Sequence, residues 1–273
     1  MLGLKLCEVL SGKGFNIEKD WFDVSSFLET RKISERFQKI DFIIHCAAMT
    51  DVDECEQNKE TCFAVNRTGT KNIVDLARHW DSGLIYISTP MVFSGDGGNY
   101  KEDSPAEPQN YYAETKLRGE REVLGYEKGL VLRVNPIGIR PYGKHPSFIQ
   151  WFINAAKNNQ SFDLFTDVRI NPISTNTLAQ IICELLFSFK TGILHLGSRD
   201  IANKADIWRL IVSNFPKFSG TVTELSVDET KSGKIAKRPK EMWLNVDKAQ
   251  IEGYVMPFWK TEVDSVLKEI LTL

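Results

Sequence analysis

The chain has 273 residues, of which 42% are hydrophobic and 26% are charged, a composition typical of a globular protein that folds in water. This length can bury a large core, as one large domain or as a domain with an additional lobe. The formal net charge is −2, so no basic excess favours nucleic acid or an anionic membrane as a partner. No apolar run approaches the roughly 20 residues of a membrane span and the first residues lack a signal-peptide layout, so we expect a cytoplasmic protein.

The cysteines predict free thiols and no metal site. Their number is odd, no Cys-x-x-Cys pair occurs, and they stand at Cys7, Cys46, Cys55, Cys62 and Cys183. Three of them lie near His45 and His79 in the sequence, but the spacings match no zinc template. Reduced thiols agree with a cytoplasmic location.

Strand-like and helix-like segments alternate along the chain, which predicts an α/β fold with a parallel sheet. Continuous apolar runs, which are typical of strands covered on both faces, occur at 41–48, 83–88 and 130–134. Shorter strands are predicted at 15–17, 162–165 and 192–197. Helices are predicted at 4–10, 58–80, 112–126, 148–156, 177–187, 205–215 and 262–273.

The segment from Pro90 to Asn110 is rich in Gly, Pro, Asp and Asn and is predicted to be a long loop, which in a compact domain usually has a function. The character of the sequence changes beyond Pro141. The simplest division is a nucleotide-binding half, residues 1–143, and a smaller C-terminal lobe, residues 144–273. Residues 170–197 are expected to return to the first half.

A tyrosine and a lysine four positions apart, Tyr112 and Lys116, begin the helix that follows this loop. Residues four apart lie on one face of a helix, so the ammonium can stabilise the phenolate and lower the pKa of the tyrosine. A hydroxyl from the end of the preceding strand, Ser88 or Thr89, would complete a site that holds a carbonyl oxygen. Such a site suits a nicotinamide-dependent carbonyl reductase, although the bare pattern is also common on solvated helix surfaces.

Several stretches together resemble the extended short-chain dehydrogenase/reductases, and among these the dTDP-4-dehydrorhamnose reductase family. The stretches occur in the family's order at 44–56, 65–72, 87–89 with 92–93, 112–120, 132–133, and 238–239 with 244 and 248. The resemblance implies a Rossmann-type, doubly wound parallel sheet that binds NAD or NADP, and a smaller C-terminal α/β lobe that binds a nucleotide-linked sugar. It also implies a homodimer.

The resemblance assigns roles to individual residues. Tyr112 would donate a proton to the keto oxygen of the sugar, Thr89 would hydrogen-bond the same oxygen, and Lys116 would bind the nicotinamide ribose and lower the pKa of Tyr112. Further cofactor-binding positions are implied at Gly3, Asp23, Val24, Ala47, Ala48 and Thr50. Some of these have structural alternatives, because Asp23 and Thr50 could cap a helix or turn and the alanines could serve close packing. Asn66 is expected to brace the active-site helix.

The N-terminus departs from the family pattern. The family begins with a strand and a Gly-x-x-Gly-x-x-Gly turn that holds the pyrophosphate, and Gly3 matches only its third glycine. The first strand, which is central in such sheets, has no counterpart here. Two explanations stay open: Met1 is an internal methionine of a longer protein, or the chain is short and has lost tight cofactor binding. We favour the first because the other motifs are intact.

Two further departures affect the expected substrate side of the site. Pro90 stands where the family usually has Asp after the catalytic Thr, and Pro136 stands where rhamnose reductases typically have a Trp that packs on the sugar. The choice between NAD and NADP is ambiguous, since Glu18 and Lys19 are adjacent and opposite in charge at the expected selecting position.

The sequence therefore leaves three functions open. The first is an NAD(P)H-dependent reductase of a 4-keto nucleotide sugar. The second is a non-catalytic regulatory protein on the same fold, as in the methionine adenosyltransferase β subunit. The third is a nucleotide-sugar epimerase. Dehydration is disfavoured because Pro90-Met91 replaces the Asp-Glu pair that such dehydratases generally have.

Overall fold

The computed structural model describes residues 1–19, 21–141, 146–229 and 236–271. Its helices are α1 (Leu2–Gly12), α2 (Phe27–Arg36), α3 (Val52–Gln57), α4 (Lys59–Phe63), α5 (Gly69–Trp80), α6 (Tyr111–Leu124), α7 (Phe148–Lys157), α8 (Thr175–Phe187), α9 (Lys204–Val212), α10 (Asp247–Ile251) and α11 (Trp259–Leu271). Its strands are β1 (Phe42–His45), β2 (Gly83–Ser88), β3 (Gly129–Val134), β4 (Pro136–Ile137), β5 (Phe162–Phe165), β6 (Arg169–Ile170), β7 (Ile173–Ser174), β8 (Gly192–Leu196), β9 (Ala202–Asn203), β10 (Val222–Leu225) and β11 (Glu241–Met242).

The main sheet has four parallel strands in the order β1-β2-β3-β8. Helices α1 and α8 cover one face through a core that includes Leu6, Leu10 and Ile182. Helix α5 covers the other face through Val74 and Ala77. Helices on both faces explain why β3 is buried along its whole length, and they confirm the predicted doubly wound α/β architecture.

Strand β1 forms one edge of the main sheet. Within the described ranges it pairs only with β2, and three of its four residues are half-buried. The segment 15–17, which we predicted to be a strand, has no ladder partner, so that prediction is wrong. Phe15 and Ile17 are half-buried and instead pack their apolar side chains on the α1–α8 core, without a neighbouring strand to pair with.

A second core lies in the C-terminal part of the chain, between α7, α9 and α11. It contains an aromatic cluster in which Trp208 packs edge-on against Phe162 and Phe152, with ring centroids 4.8 and 5.5 Å away. Small sheets β5-β10 and β11-β6-β9 adjoin it. The segment 170–197 contributes strand β8 to the main sheet and helix α8 to one of the faces of that sheet. The boundary predicted at 143/144 lies outside the described residues.

Most predicted elements are present. The helix predicted at 58–80 consists of α4, a π-helical turn at Ala64–Thr68, and α5. The helices predicted at 112–126, 148–156 and 177–187 correspond to α6, α7 and α8, and the segment 90–110 is a loop apart from one 3₁₀ turn, Pro90–Val92. The last two residues of the helix predicted at 262–273 are outside the described ranges.

Candidate active site

Helix α6 carries the Tyr-x-x-x-Lys pair. It begins where the Asn110 side chain accepts a hydrogen bond from Ala113 N–H at 2.9 Å, an N-cap that satisfies one of the free donors of the first turn. Tyr112 and Lys116 are 9% and 2% exposed, so this pair does not lie on a solvated helix face. Their burial distinguishes the pair from a chance surface pattern.

Thr89 follows the last residue of β2 and is also buried. Its hydroxyl accepts a hydrogen bond from Met91 N–H at 3.2 Å, which caps the 3₁₀ turn that begins at Pro90. The same hydroxyl lies beside the Tyr112 phenol and acts to lower the pKa of Tyr112. The structure thus brings Thr89 and Tyr112 together, while the alternative hydroxyl, Ser88, donates to Glu120 at 2.5 Å and is used elsewhere.

The pKa of Tyr112 differs from our expectation. We predicted that Lys116 would lower it, whereas in this structure burial raises the pKa of Tyr112, and the neighbouring Thr89 hydroxyl opposes this only in part. A phenol out of water loses the solvation that stabilises its charged form. Tyr112 therefore carries its proton at neutral pH.

The ammonium of Lys116 has its own partners. Its Nζ donates to Ile87 O at 2.8 Å and lies 3.9 Å from the centre of the Tyr86 ring, a cation–π contact. Burial lowers the pKa of Lys116 to about 7, although the Glu120 carboxylate raises it again in part. A buried lysine with such a pKa is an unusual feature that often marks a functional site.

A buried polar network connects α6 to strands β3 and β8. Glu120 accepts bidentate hydrogen bonds from Arg133 on β3, at 3.0 Å and 2.7 Å, and both side chains are almost completely buried. His195 on β8 lies 3.4 Å from Arg133 Nη1 and 3.0 Å from Tyr100 O. From the sequence, Glu120 and Arg133 were predicted only as family positions, and His195 had no predicted role. Charged residues inside predicted buried elements were the signal that could have identified this network.

Asn66 braces the site as expected. Its amide oxygen accepts from Met49 N–H at 2.8 Å, and its amide nitrogen donates to Met49 O and Thr115 Oγ1, both at 3.0 Å. Asn66 lies in the π-helical turn, and π turns within helices are frequent at functional sites because they redirect a side chain. Asn66 thereby connects the segment after β1 to the first turn of α6.

The predicted cofactor-binding residues lie mostly around the carboxyl end of β1. Ala47 and Thr50 are exposed and Ala48 is half-buried. Gly3 lies in the first turn of α1, and a Cβ added there would meet open space. The N-terminal amine that precedes it is partly buried, and its pKa is lowered by burial and by the nearby Arg140.

Asp23 and Val24 have structural roles in this chain. Asp23 is exposed, and its carboxylate accepts from Ser25 N–H at 2.9 Å and from Ser25 Oγ at 2.7 Å, which forms a turn before α2. The N-cap of α2 is Ser26. Val24 is buried against Gly69 on α5, and its carbonyl accepts from Asn72 at 2.9 Å. The valine side chain is therefore part of the core.

The expected substrate-side positions are Pro90 and Pro136. Pro90 is buried directly after Thr89, and Pro136 starts β4 and is half-buried. Arg140 was not singled out from the sequence. The side chain of Gln150 hydrogen-bonds the backbone N–H and C=O of Arg140. The guanidinium of Arg140 lies 3.3 Å from Thr50 Oγ1. Arg140 thus connects the segment before α7 to the carboxyl end of β1.

Within the described part of the chain, no group of three or more His, Cys, Asp or Glu side chains could hold a metal ion. None of the helices there is both long and apolar enough to cross a membrane.

A parallel sheet with helices on both faces and a ligand edge at the carboxyl ends of its strands is the architecture of the Rossmann-type nucleotide-binding proteins. Residues 1–272 match the family model described as the RmlD substrate binding domain. The chain therefore belongs to this family. Proteins similar to it include dTDP-4-dehydrorhamnose reductases.

Individual relatives agree with this assignment. The dTDP-4-dehydrorhamnose reductase of Escherichia coli is 28% identical over 92% of this chain and 89% of its own length. The spore coat polysaccharide biosynthesis protein SpsK of Bacillus subtilis is 26% identical over 98% of this chain and 94% of its own length. The structure of dTDP-4-dehydrorhamnose reductase from Bacillus anthracis in complex with NADP has a TM-score of 0.88 at 25% identity, covering 98% of this chain and 95% of that chain.

Proposed function

We propose that the protein is an NAD(P)H-dependent reductase of a 4-keto nucleotide sugar, with Thr89, Tyr112 and Lys116 as its catalytic residues. The observation that carries the proposal is the burial of Thr89 beside Tyr112, with the buried, low-pKa Lys116 one helical turn further along α6. Two hydroxyl groups that meet at one point can both bond a single carbonyl oxygen. Relatives named as dTDP-4-dehydrorhamnose reductases support this substrate class.

The residues present fit a nicotinamide dinucleotide. Ala47 and Ala48 have small side chains at the carboxyl end of β1, and the open space beside Gly3 leaves room for backbone approach. We propose that these residues, with Thr50, Asp23 and Val24, hold the dinucleotide and that Lys116 binds its nicotinamide ribose. The cofactor, when bound, supplies the hydride. A neighbour in complex with NADP makes NADP the first candidate, and NAD stays open.

Three side chains would then take part in protonating the keto oxygen. Tyr112 holds its proton at neutral pH because burial raises its pKa, and a proton donor needs that state. Thr89 orients the oxygen that is to be protonated. Lys116, if charged, stabilises the phenolate that Tyr112 becomes after giving up its proton. Pro90 and Pro136 offer no hydrogen-bond donor, so we propose that they shape the pocket for a sugar other than the one preferred by relatives with Asp and Trp there.

The test is a reductase assay with Tyr112→Phe. The wild-type protein is mixed with NADPH or NADH and dTDP-4-dehydrorhamnose, and loss of the reduced nicotinamide is followed by absorbance. We expect turnover in the wild type and a loss of roughly 10²- to 10⁴-fold in kcat for Tyr112→Phe, the usual size of a general-acid contribution. Tyr111→Phe is the matched control, because Tyr111 precedes it on α6 and its ring packs under Lys59.

Two results would contradict the proposal. Full activity in Tyr112→Phe would remove the tyrosine from the mechanism. Nucleotide-sugar binding without any oxidation of NADPH or NADH would favour the second candidate, a non-catalytic binding protein on this fold.

A further inference from the structure

Two free thiols pack directly against Tyr112. Cys55 in α3 and Cys62 in α4 are both completely buried, and with Tyr112 they form a small core cluster of their own. The two sulfurs contact groups that are bonded to each other, because Cys55 Sγ lies 3.7 Å from Met49 O, which accepts from Asn66 Nδ2, and Asn66 Nδ2 lies 3.4 Å from Cys62 Sγ. Neither thiol has a part in the proposed reduction, so their contact with the catalytic tyrosine needs another explanation.

Several polar groups converge on the sulfur of Cys62. Thr115 Oγ1 and Asn66 Nδ2 each lie 3.4 Å from Cys62 Sγ. The neighbouring Cys55 lowers the pKa of Cys62, and Cys62 in turn raises the pKa of Cys55, whose Sγ lies 3.7 Å from Met49 O. Hydrogen-bond donors around a sulfur stabilise its thiolate, which is the reactive form. Cys62 is therefore the nucleophile of the pair and Cys55 the resolving thiol.

The backbone between the two thiols permits them to approach further. Helices α3 and α4 have only six and five residues, and Asn58 separates them with a non-helical backbone at φ −120° and ψ 60°. A disulfide requires the two sulfurs to come to about 2.05 Å from each other, so α3 and α4 must move closer together when it forms. Short helices at a break open locally at lower cost than the sheet core does, so the thiols become reachable by a small oxidant.

We propose that Cys55 and Cys62 are a dithiol site that hydrogen peroxide oxidises to a disulfide, and that this disulfide inactivates the neighbouring Tyr112. The Cys62 thiolate attacks one peroxide oxygen, the O–O bond breaks, and hydroxide leaves and takes up a proton to become water. Cys55 sulfur then attacks the resulting sulfenic acid, the S–O bond breaks, and a second water leaves with the Cys55 proton. Two thiols are oxidised and one peroxide is reduced to two waters.

The effect on Tyr112 follows from packing. Forming the disulfide draws Cys62 away from Thr115 and Asn66, which hold the first turn of α6. A close-packed interior does not deform continuously, so displacement of α3 and α4 shifts the phenol that rests on them. The loss of turnover rests on the proposed function, whereas formation of the disulfide does not.

The first experiment maps the disulfide by mass spectrometry without reduction. Trypsin cleaves after Lys39, Lys59 and Arg67, so Cys55 and Cys62 fall in separate peptides, residues 40–59 and 60–67. After treatment of the purified protein with hydrogen peroxide we expect these peptides to be joined, with the loss of two hydrogens, and dithiothreitol to separate them. Residues 40–59 also contain Cys46, so Cys46→Ser protein is treated in parallel and should give the same joined pair. Unjoined peptides, or sulfinic acid on Cys62 alone, would overturn the proposal.

The second experiment relates the disulfide to turnover. In the wild type we expect NADPH oxidation to fall in step with formation of the joined peptides and to return with dithiothreitol. Cys55→Ala and Cys62→Ala should lose activity at least about tenfold more slowly, because each lacks one partner of the bond. Cys183→Ala is the matched control, since Cys183 is buried in the α1–α8 core on the other side of the sheet. A joined pair with unchanged turnover would refute the effect on Tyr112, and untreated protein without turnover would refute the proposed function but not the dithiol site.

Discussion

The two sides of the candidate site are built differently. On the α6 side the functional groups are buried and each has several partners, as with Lys116, which binds Ile87 O and the Tyr86 ring. On the β1 side the residues are small, exposed and lightly held, as with Ala47 and Thr50. Strand β1 is also the sheet edge within the described ranges.

This difference indicates how stability is distributed between the two sides. Buried charges must keep their partners, because an unpaired charge away from water costs several kcal/mol. The α6 side is therefore fixed before any ligand arrives, as preorganised catalytic groups should be. On the β1 side the exposed surface gains its contacts only when a ligand covers it. Substitutions on the α6 side should be costly in stability or turnover, and those on the β1 side should be mild.

The largest effect is expected for Lys116→Met, with opposite signs for turnover and stability. If Lys116 has the proposed role of binding the nicotinamide ribose and stabilising the Tyr112 phenolate, turnover should fall by at least about 10²-fold. Unfolding free energy near neutral pH should rise by roughly 1–3 kcal/mol, because an apolar side chain replaces a buried cation. Steady-state kinetics and urea unfolding measure the two effects. Lys71→Met, which removes an exposed pair with Asp75, should change neither substantially.

The gain in stability should depend on pH. Burial lowers the pKa of Lys116 from 10.5 to about 7 in the folded protein. Between these values the unfolded chain binds the proton and the folded chain does not, so wild-type stability rises with pH across this window. The methionine variant lacks this rise, and its advantage should shrink from pH 7 toward pH 10. An advantage that grows with pH would contradict a lowered pKa.

The next effect is the loss of a buried ion pair in Arg133→Met. The Glu120 carboxylate would stay buried without its bidentate partner, so we expect unfolding free energy to fall by about 3–5 kcal/mol. Arg118→Met is the matched control, because its pair with Glu114 lies on the outer part of α6, is about half exposed and should contribute about 0.3–0.5 kcal/mol. Similar losses in the two variants would show that the α6 side is not stabilised by this pair.

The α6 side was also the part of the site that its sequence made most predictable. Tyr112, Lys116 and Thr89 occur within one short stretch, and the apolar run at 83–88 and the helical spacing of 112–126 place them at neighbouring element ends. A strand end and a helix start are local features that periodicity detects. The structure places all three at these element ends, and it adds their burial and the effect of the Thr89 hydroxyl on the pKa of Tyr112.

The parts that local patterns missed depend on distant residues. The segment 15–17 has strand-like composition, but a strand also requires a neighbour with which to pair, and that is decided outside the segment. The pKa of Tyr112 was predicted from Lys116 alone, whereas burial in a cluster that includes Cys55, Cys62 and Met91 has the larger effect. The pairs Glu120–Arg133 and Cys55–Cys62 are likewise set by the packing of separate elements.

A smaller effect concerns two buried histidines next to the α6 side. Burial lowers the pKa of His45 and of His195 to about 3, well below their ordinary value of 6.5. As pH falls from 6.5 toward 3, the unfolded chain binds protons that the folded chain does not, so stability decreases through this window. Each histidine should account for about 2 kcal/mol of the decrease between pH 7 and pH 5. Urea unfolding of His195→Gln should show a correspondingly shallower decrease, whereas replacement of the exposed His79 by Gln should leave the wild-type slope.

The smallest effect is expected on the β1 side, at Asp23. Its carboxylate holds the turn at Ser25, an exposed contact whose loss in Asp23→Ala should lower unfolding free energy by about 1 kcal/mol or less. Asp23→Asn separates this role from the proposed contact with the adenine side of the cofactor, because an Asn side chain can still accept the hydrogen bonds of the turn. If Asp23 serves only the turn, Asn restores stability and leaves the KM for NADPH unchanged. If it also binds cofactor as a carboxylate, Asn restores stability but not KM, and the lightly held side of the site contributes affinity without contributing to the fold.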